Sequence, residues 1–254
     1  MDTPRDARPI LVIEHESDAG LARLERSLID AAGAIEVRRP YLGDPLPERA
    51  ADGYRALLVL GGAMAAWEDD VAPWLPQTRR LLADAVRADL PTLGICLGGQ
   101  LLALACGGSV ERGADGLEVG IQPIHVLDAA WQDEFLGGAL HRLSNGSQQT
   151  ELTVPQYHQD AVTRLPDDAI LLATGERYPY QAFRVGSRAW GLQYHPEVSD
   201  VDFAFWVNSS VPALTAGGHD PERLLTQVGA ASEELQRVAD SHGASFAAAS
   251  LAAH

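Results

Sequence analysis

The sequence predicts an α/β fold, with a mainly parallel sheet covered by helices on both faces. Three observations carry that prediction. Short apolar runs alternate with helical stretches until Gly108, and the pattern then turns β-rich with Gly and Pro punctuation. From about Pro212 the chain is Ala-rich and helical, which adds a C-terminal helical extension rather than a second domain.

Residues 1–8 are polar and are expected to form a disordered tail. PILVIEH (9–15) reads as a buried strand. SDAGLARLERSLIDAAG (17–33) follows as an amphipathic helix with a Ser or Asp start and a Gly stop. IEVRRPY (35–41) is the second strand, and YRALLVLGG (54–62) is the third, ending on paired glycines. APWLPQTRRLLADAVRADL (72–90) is the next helix, and PTLGICLGG (91–99) brings in the fourth strand. SVERGADGLEVGIQPIHVL, TELTVPQYHQDAV, AILLATGE and YQAFRVGSRAWGLQYHPEV then read as hairpins joined to the sheet. The expected organisation is one domain over residues 9–211 and a helical extension over 212–254, with no internal repeat.

Composition removes several classes of function. The 254 residues are 46% apolar and 21% charged, an ordinary globular balance. All 19 basic residues are arginine, so a P-loop, a Schiff-base enzyme, a Ser-Lys hydrolase and a protein kinase are excluded. The net charge of −16 repels nucleic acid and anionic membranes, and neither is an expected partner. No apolar run reaches membrane-spanning length, and MDTPRDARP lacks the apolar core of a secretory signal; a cytoplasmic location is expected. The two cysteines lie ten positions apart, which suits neither a disulfide framework nor a zinc knuckle, and no metal is expected.

One cysteine sits in a chemical context. Gly94-Ile95-Cys96-Leu97-Gly98 has the G-x-nucleophile-x-G form between an apolar strand and the helical QLLALACGG. The flanking glycines remove side chains that would collide as the chain reverses. The helix start aims N–H groups at the sulfur, favouring thiolate, and the same groups can hold an oxyanion. Cys106, at the helix end among small residues, reads as structural.

A thiolate nucleophile needs a base. Of the eight histidines (15, 125, 141, 158, 195, 219, 242 and 254), His195 in GLQYHPEV is the most suggestive. It ends an apolar strand, and Glu197, two positions on, can orient one ring nitrogen and leave the other to exchange the thiol proton. A zinc deaminase shares H-x-E but needs a P-C-x-x-C that is absent, and His15 has no histidine four residues on for a metalloprotease helix.

GGAM, GICLGGQLLA, GLEVG and GLQYHPEV, in that order and spacing, resemble class I glutamine amidotransferases, most closely the stand-alone GMP-synthase-like proteins. The resemblance covers about residues 9–207. It implies a flavodoxin-like three-layer α/β/α fold and a triad of Cys96 as nucleophile, His195 as general base and acid, and Glu197 as orienter. It implies a γ-glutamyl thioester, hydrolysed with release of ammonia or an amine, and calls for no cofactor. Gly61 and Gly62 match the glycine loop that joins the Leu97 N–H in the oxyanion hole. Gln100, Tyr157 and His158 match positions that bind the glutamine substrate, and Glu118 matches a structural signature.

Two positions depart from the family pattern. Ala63 stands where a proline is common after the glycine pair, which predicts a less rigid oxyanion loop, and Tyr157 stands where tryptophan is frequent. No synthetase domain or ATP-binding P-loop lies within these residues, so GMP synthesis by them alone is not expected. The implied function is hydrolysis of the γ-amide of glutamine, delivering ammonia to a separate synthetase or acceptor enzyme. The alternatives are a stand-alone γ-glutamyl hydrolase, the neighbouring branch of intracellular proteases and isocyanide hydratases, and a silent binding module.

Overall fold

The computed structural model describes residues 8–144 and 148–251. Apart from Arg8, the expected polar tail lies outside them, as does His254. The elements run β1 (Ile10–Ile13), α1 (Leu24–Ala32), β2 (Ile35–Arg38), β3 (Ala56–Val59), α2 (Leu75–Arg87), β4 (Thr92–Ile95) and α3 (Leu97–Ala105). They continue with β5 (Ser109–Arg112), β6 (Glu118–Val126), α4 (Asp128–Trp131), α5 (Leu136–Leu143), β7 (Glu151–His158), β8 (Asp160–Arg164) and β9 (Ile170–Thr174). The last are β10 (Ala182–Val185), β11 (Ala189–Leu192), α6 (Asp200–Ser209), α7 (Val211–Ala216) and α8 (Pro221–Leu251).

Among the described residues, nine strands form one mixed sheet in the order β2-β1-β3-β4-β11-β10-β9-β6-β7. Pairing is parallel from β2 to β11 and antiparallel from β11 to β7. Apolar side chains alternate between the two faces, as the strand repeat demands. Ile10, Val12 and Leu58 meet Leu24, Leu140 and Phe246 on one face, whereas Leu11, Ile13 and Val59 meet Leu81, Leu82 and Leu101 on the other. The result is the three-layer α/β/α architecture, flavodoxin-like, with the long α8 laid along α1, α5 and α6. No helix among the described residues is long and apolar enough to cross a membrane.

Several boundaries differ from the sequence expectation. The first helix begins at Leu24 rather than near Ser17, because Ala22 takes φ 39°, and Arg23 holds the N-cap position with no side-chain cap. Its Gly stop is present, with Gly33 at φ 87° donating to the Ile29 carbonyl. The second strand ends at Arg38 because Pro40, which has no N–H for the ladder, opens a 3₁₀ turn. β6 and β7 pair along their length and extend the sheet, but β5 and β8 leave it to form a separate two-stranded sheet.

Candidate active site

β1, β3, β4 and β11 are neighbours in the parallel half, so their carboxyl ends lie side by side. Open α/β sheets bind their ligands there. The residues that leave those four ends are Glu14-His15-Glu16, Gly61-Gly62, Cys96 and Gln193-Tyr194-His195.

Cys96 takes φ 50° and ψ −107°, a conformation that costs a non-glycine residue strain and persists only where its surroundings enforce it. Close backbone contacts provide that enforcement. A Cβ on Gly94 would collide with the Gly98 carbonyl, and one on Gly98 with the Val59 carbonyl of β3. One on Gly99 would fall 2.7 Å from the Leu192 carbonyl of β11. The glycines therefore let the helix start press directly onto two strands. The Cys96 N–H donates to the Leu192 carbonyl at 2.7 Å, which fixes the turn to β11.

Gly61 lies against this turn. A Cβ there would sit 3.1 Å from His195 Cε1 and 3.7 Å from Cys96 Cβ. A Cβ on Gly62 would meet Leu97 Cδ2 at 3.0 Å and His15 Cβ at 3.1 Å. No hydrogen bond among the described residues uses the N–H groups of Gly61, Gly62 or Leu97.

His195 and Glu197 are both buried, with 2.7 Å between His195 Nδ1 and Glu197 Oε1. His195 Nε2 is buried and has no hydrogen-bond partner among the described residues. Burial alone pushes the imidazolium down from its ordinary range. The negative charges of Glu197 and of a Cys96 thiolate, with the Glu197 hydrogen bond, outweigh burial and hold it well above that range. The segment is tied from behind. Its His195 N–H donates to the Pro155 carbonyl, the Glu197 carbonyl accepts from the Arg23 N–H, and the Val198 carbonyl accepts from Arg23 Nε. The Arg23 guanidinium also reaches Asp200 and Ser232, so α8 braces this end of the site.

A cavity of about 370 Å³ opens onto Cys96 and His195, a size suited to a small-molecule ligand. Gly62, Gln100, Tyr157 and His158 also line it. Gln100 Nε2 donates to the Asp160 carbonyl at 2.8 Å and to Gln193 Oε1 at 3.3 Å. His158 is held at both nitrogens, Nδ1 by the Asp160 carbonyl at 3.0 Å and Nε2 by Glu118 Oε2 at 2.9 Å. The Tyr157 hydroxyl donates to the Trp206 carbonyl at 3.3 Å.

The nine residues singled out in the sequence thus converge on one place. Six of them line the cavity, whereas Gly61, Leu97 and Glu197 stand behind its wall. Cys106, at the far end of α3, is removed from this constellation, and burial pushes its thiol up to about 11. Sequence reasoning missed Gln193, whose amide donates to Cys96 Sγ at 3.6 Å while its oxygen accepts from Gln100. The signal was there: Gln193 precedes His195 by two, the interval that puts side chains on one face. It also missed the Trp206 ring, 5.1 Å from the His195 ring across the cavity wall.

Comparison with known proteins bears on this arrangement. The sequence model of the family described as glutamine amidotransferase class-I matches residues 23–203. γ-Glutamyl peptidase 5 of Arabidopsis thaliana is 31% identical over 147 residues, 58% of this chain and 55% of that protein. A GMP synthase [glutamine-hydrolyzing] of Porphyromonas gingivalis is 32% identical over 160 residues, 63% of this chain and 27% of that protein. The chain thus spans about half of the peptidase and a quarter of the synthase. The crystal structure of a glutamine amidotransferase from Thermotoga maritima superposes with a TM-score of 0.79 at 28% identity, covering 94% of this chain and 98% of that one.

Proposed function

The chain belongs to the class-I glutamine amidotransferase family, and from that premise we propose that it hydrolyses the γ-amide of glutamine or of a γ-glutamyl compound. The observation that carries the proposal is the junction of a strained Cys96 with a histidine whose one nitrogen is bound to Glu197 and whose other is free. Cys96 is the nucleophile, His195 the general acid and base, and Glu197 the group that orients and charges the ring.

The thiolate of Cys96 attacks the γ-carbonyl carbon, forming a C–S bond and moving the carbonyl electron pair onto oxygen. The N–H groups of Gly62 and Leu97, with Gly61 beside them, receive that oxyanion. His195 Nε2 gives its proton to the leaving nitrogen, the C–N bond breaks, and ammonia or an amine departs. Water then attacks the γ-glutamyl thioester and yields its proton to Nε2, which releases glutamate and restores the thiolate. Gln100, Tyr157 and His158 hold the glutamyl part of the substrate. We assign the chemistry to residues 9–211 and treat 212–254 as an extension of that domain.

Ammonia released by a subunit of this kind goes to a separate synthetase or acceptor enzyme. The likeness to a γ-glutamyl peptidase supports a second version, in which the protein acts alone on a small γ-glutamyl compound. Ammonia and amine release are measured with glutamine and a panel of γ-glutamyl amides, and acid-quenched digests are analysed by mass spectrometry. The proposal expects a γ-glutamyl group on the Cys96 peptide and no turnover in Cys96→Ala. Turnover retained in Cys96→Ala, or the acyl group on another residue, contradicts it. Turnover without any partner favours the stand-alone version.

A further inference from the structure

The glycine pair leaves the sheet as a short bridge between two anchors. Before it, the Leu60 N–H donates to the Ile13 carbonyl at the end of β1, at 3.0 Å. After it, the Ala63 N–H donates to Glu16 Oε1 at 2.7 Å, three residues beyond the same strand. Between these two bonds, the N–H groups of Gly61 and Gly62 make none among the described residues. We propose that Glu16 is a positioning residue for the reaction, holding Ala63 so that the Gly61-Gly62 N–H groups face the oxygen of the attacked carbonyl.

The loop needs such a holder. Glycine has the widest backbone freedom of any residue, and two in succession leave the donors undirected unless their ends are fixed. The side walls limit lateral movement, since His195 Cε1, Leu97 Cδ2 and His15 Cβ all lie close to where glycine side chains would be. They do not set the peptide planes. A proline at position 63 would fix its own φ and present no N–H, whereas alanine leaves φ free and keeps an N–H through which the loop can be held. Glu16 supplies the acceptor, and a carboxylate makes a stronger bond to an N–H than a neutral oxygen does. Glu16 also lines the cavity, where burial, and then the charge of nearby Asp18, push its carboxyl up while the Ala63 bond opposes them. The lost rigidity expected from Ala63 is thus compensated by a side chain from a neighbouring strand end. The assignment rests on the oxyanion-hole reading above.

Donors aimed at an oxyanion act on the transition state more than on bound substrate, so their misplacement lowers kcat and leaves KM nearly unchanged. Three variants test this: Glu16→Ala, Glu16→Gln, and Glu16→Ala combined with Ala63→Pro, each checked by thermal melting and assayed beside Cys96→Ala. Glu16→Ala is expected to lose about tenfold in kcat with KM within about threefold. A γ-glutamyl aldehyde, whose thiohemiacetal oxygen takes the same hole, should weaken by the same factor. Glu16→Gln keeps an acceptor and should retain most of the turnover. The double variant, in which proline fixes φ at position 63, should recover most of what Glu16→Ala loses. An unchanged kcat in Glu16→Ala, a loss confined to KM, a Gln variant as poor as Ala, or no recovery in the double variant overturns the assignment. Turnover surviving in Cys96→Ala would instead remove the reading on which it rests.

Discussion

Two buried histidines face the same cavity, each with a glutamate against it. In one pair, His195 Nδ1 and Glu197 lie 2.7 Å apart, and in the other His158 Nε2 and Glu118 lie 2.9 Å apart. They differ at the second nitrogen. His158 Nδ1 faces the Asp160 carbonyl, so both of its nitrogens are engaged by protein oxygens. His195 Nε2 has no such partner among the described residues and lies on the cysteine side. Glu118 is occupied further by Gln181 Nε2 at 3.0 Å, and Gln181 Oε1 accepts from Gln156 Nε2, so the pair belongs to a buried hydrogen-bonded network in the wall. A His–Glu pair is therefore not a catalytic dyad in itself. In the proposed mechanism, the free nitrogen makes it one.

That contrast is broken most severely at the cysteine side. His195→Asn and Cys96→Ala should each lower kcat by on the order of 10⁴-fold or more, because the residues act as a unit. Steady-state rates of ammonia release check this, and a loss below about tenfold for His195→Asn would equate the two histidines. Next in size is Glu197→Gln, expected to cost on the order of 10²–10⁴-fold in kcat without unfolding the chain.

The same variant moves the pH profile. Glu197 and the Cys96 thiolate hold the His195 imidazolium well above its ordinary range, so the proton that the proposed mechanism gives to the leaving nitrogen is present at neutrality and is lost as pH rises through that raised value. Removing the glutamate charge should shift the alkaline limb of kcat/KM toward neutral pH. An unmoved limb would take Glu197 out of the pair.

Changes in the wall should be milder. His158→Ala is expected to raise KM by about tenfold with kcat within about threefold, the mark of lost ground-state binding. Glu118→Ala strands His158 Nε2 and removes one of the two acceptors of the Gln181 amide, and should cost about 1–3 kcal/mol of stability in denaturant unfolding. The smallest effect on turnover belongs to the two buried histidines with no carboxylate partner. Burial lowers His15 and His242 to about 4; each accepts a hydrogen bond at one nitrogen, from Trp74 and Tyr194 respectively. Their folded values lie below the unfolded one, so the unfolded chain binds more protons in between. Stability should fall as pH drops from about 6.5 toward 4, by an upper bound of roughly 3 kcal/mol per histidine, and the slope should shrink in His242→Gln.

Much of this was legible because it is local. The G-x-C-x-G turn, the paired glycines at a strand end and the H-x-E after an apolar strand each declare a backbone requirement within a few residues. The strand order brings those three ends together; alternating β and α elements imply the parallel sheet, but not the place of β11 beside β4. What stayed hidden depends on long separations. Nothing within reach of Ala63 indicates that its N–H belongs to Glu16, 47 residues away. Nothing near His158 indicates that Glu118, 40 residues away, and the Asp160 carbonyl occupy both of its nitrogens. The early start drawn for the first helix failed for a similar reason. The Ala22 turn serves Arg23, whose bonds run to Glu197 and Val198 far along the chain.

The most direct test of the difference between the two histidines is the rate at which a glutamine-like diazoketone, 6-diazo-5-oxonorleucine, labels Cys96, followed by intact-mass and peptide mass spectrometry. The reagent should add once, at Cys96 and not Cys106. Labelling at saturating reagent should collapse in His195→Asn and persist near the native rate in His158→Ala. Equal loss in both variants, or a label on Cys106, would contradict the assignment of the reacting pair to Cys96 and the free nitrogen of His195.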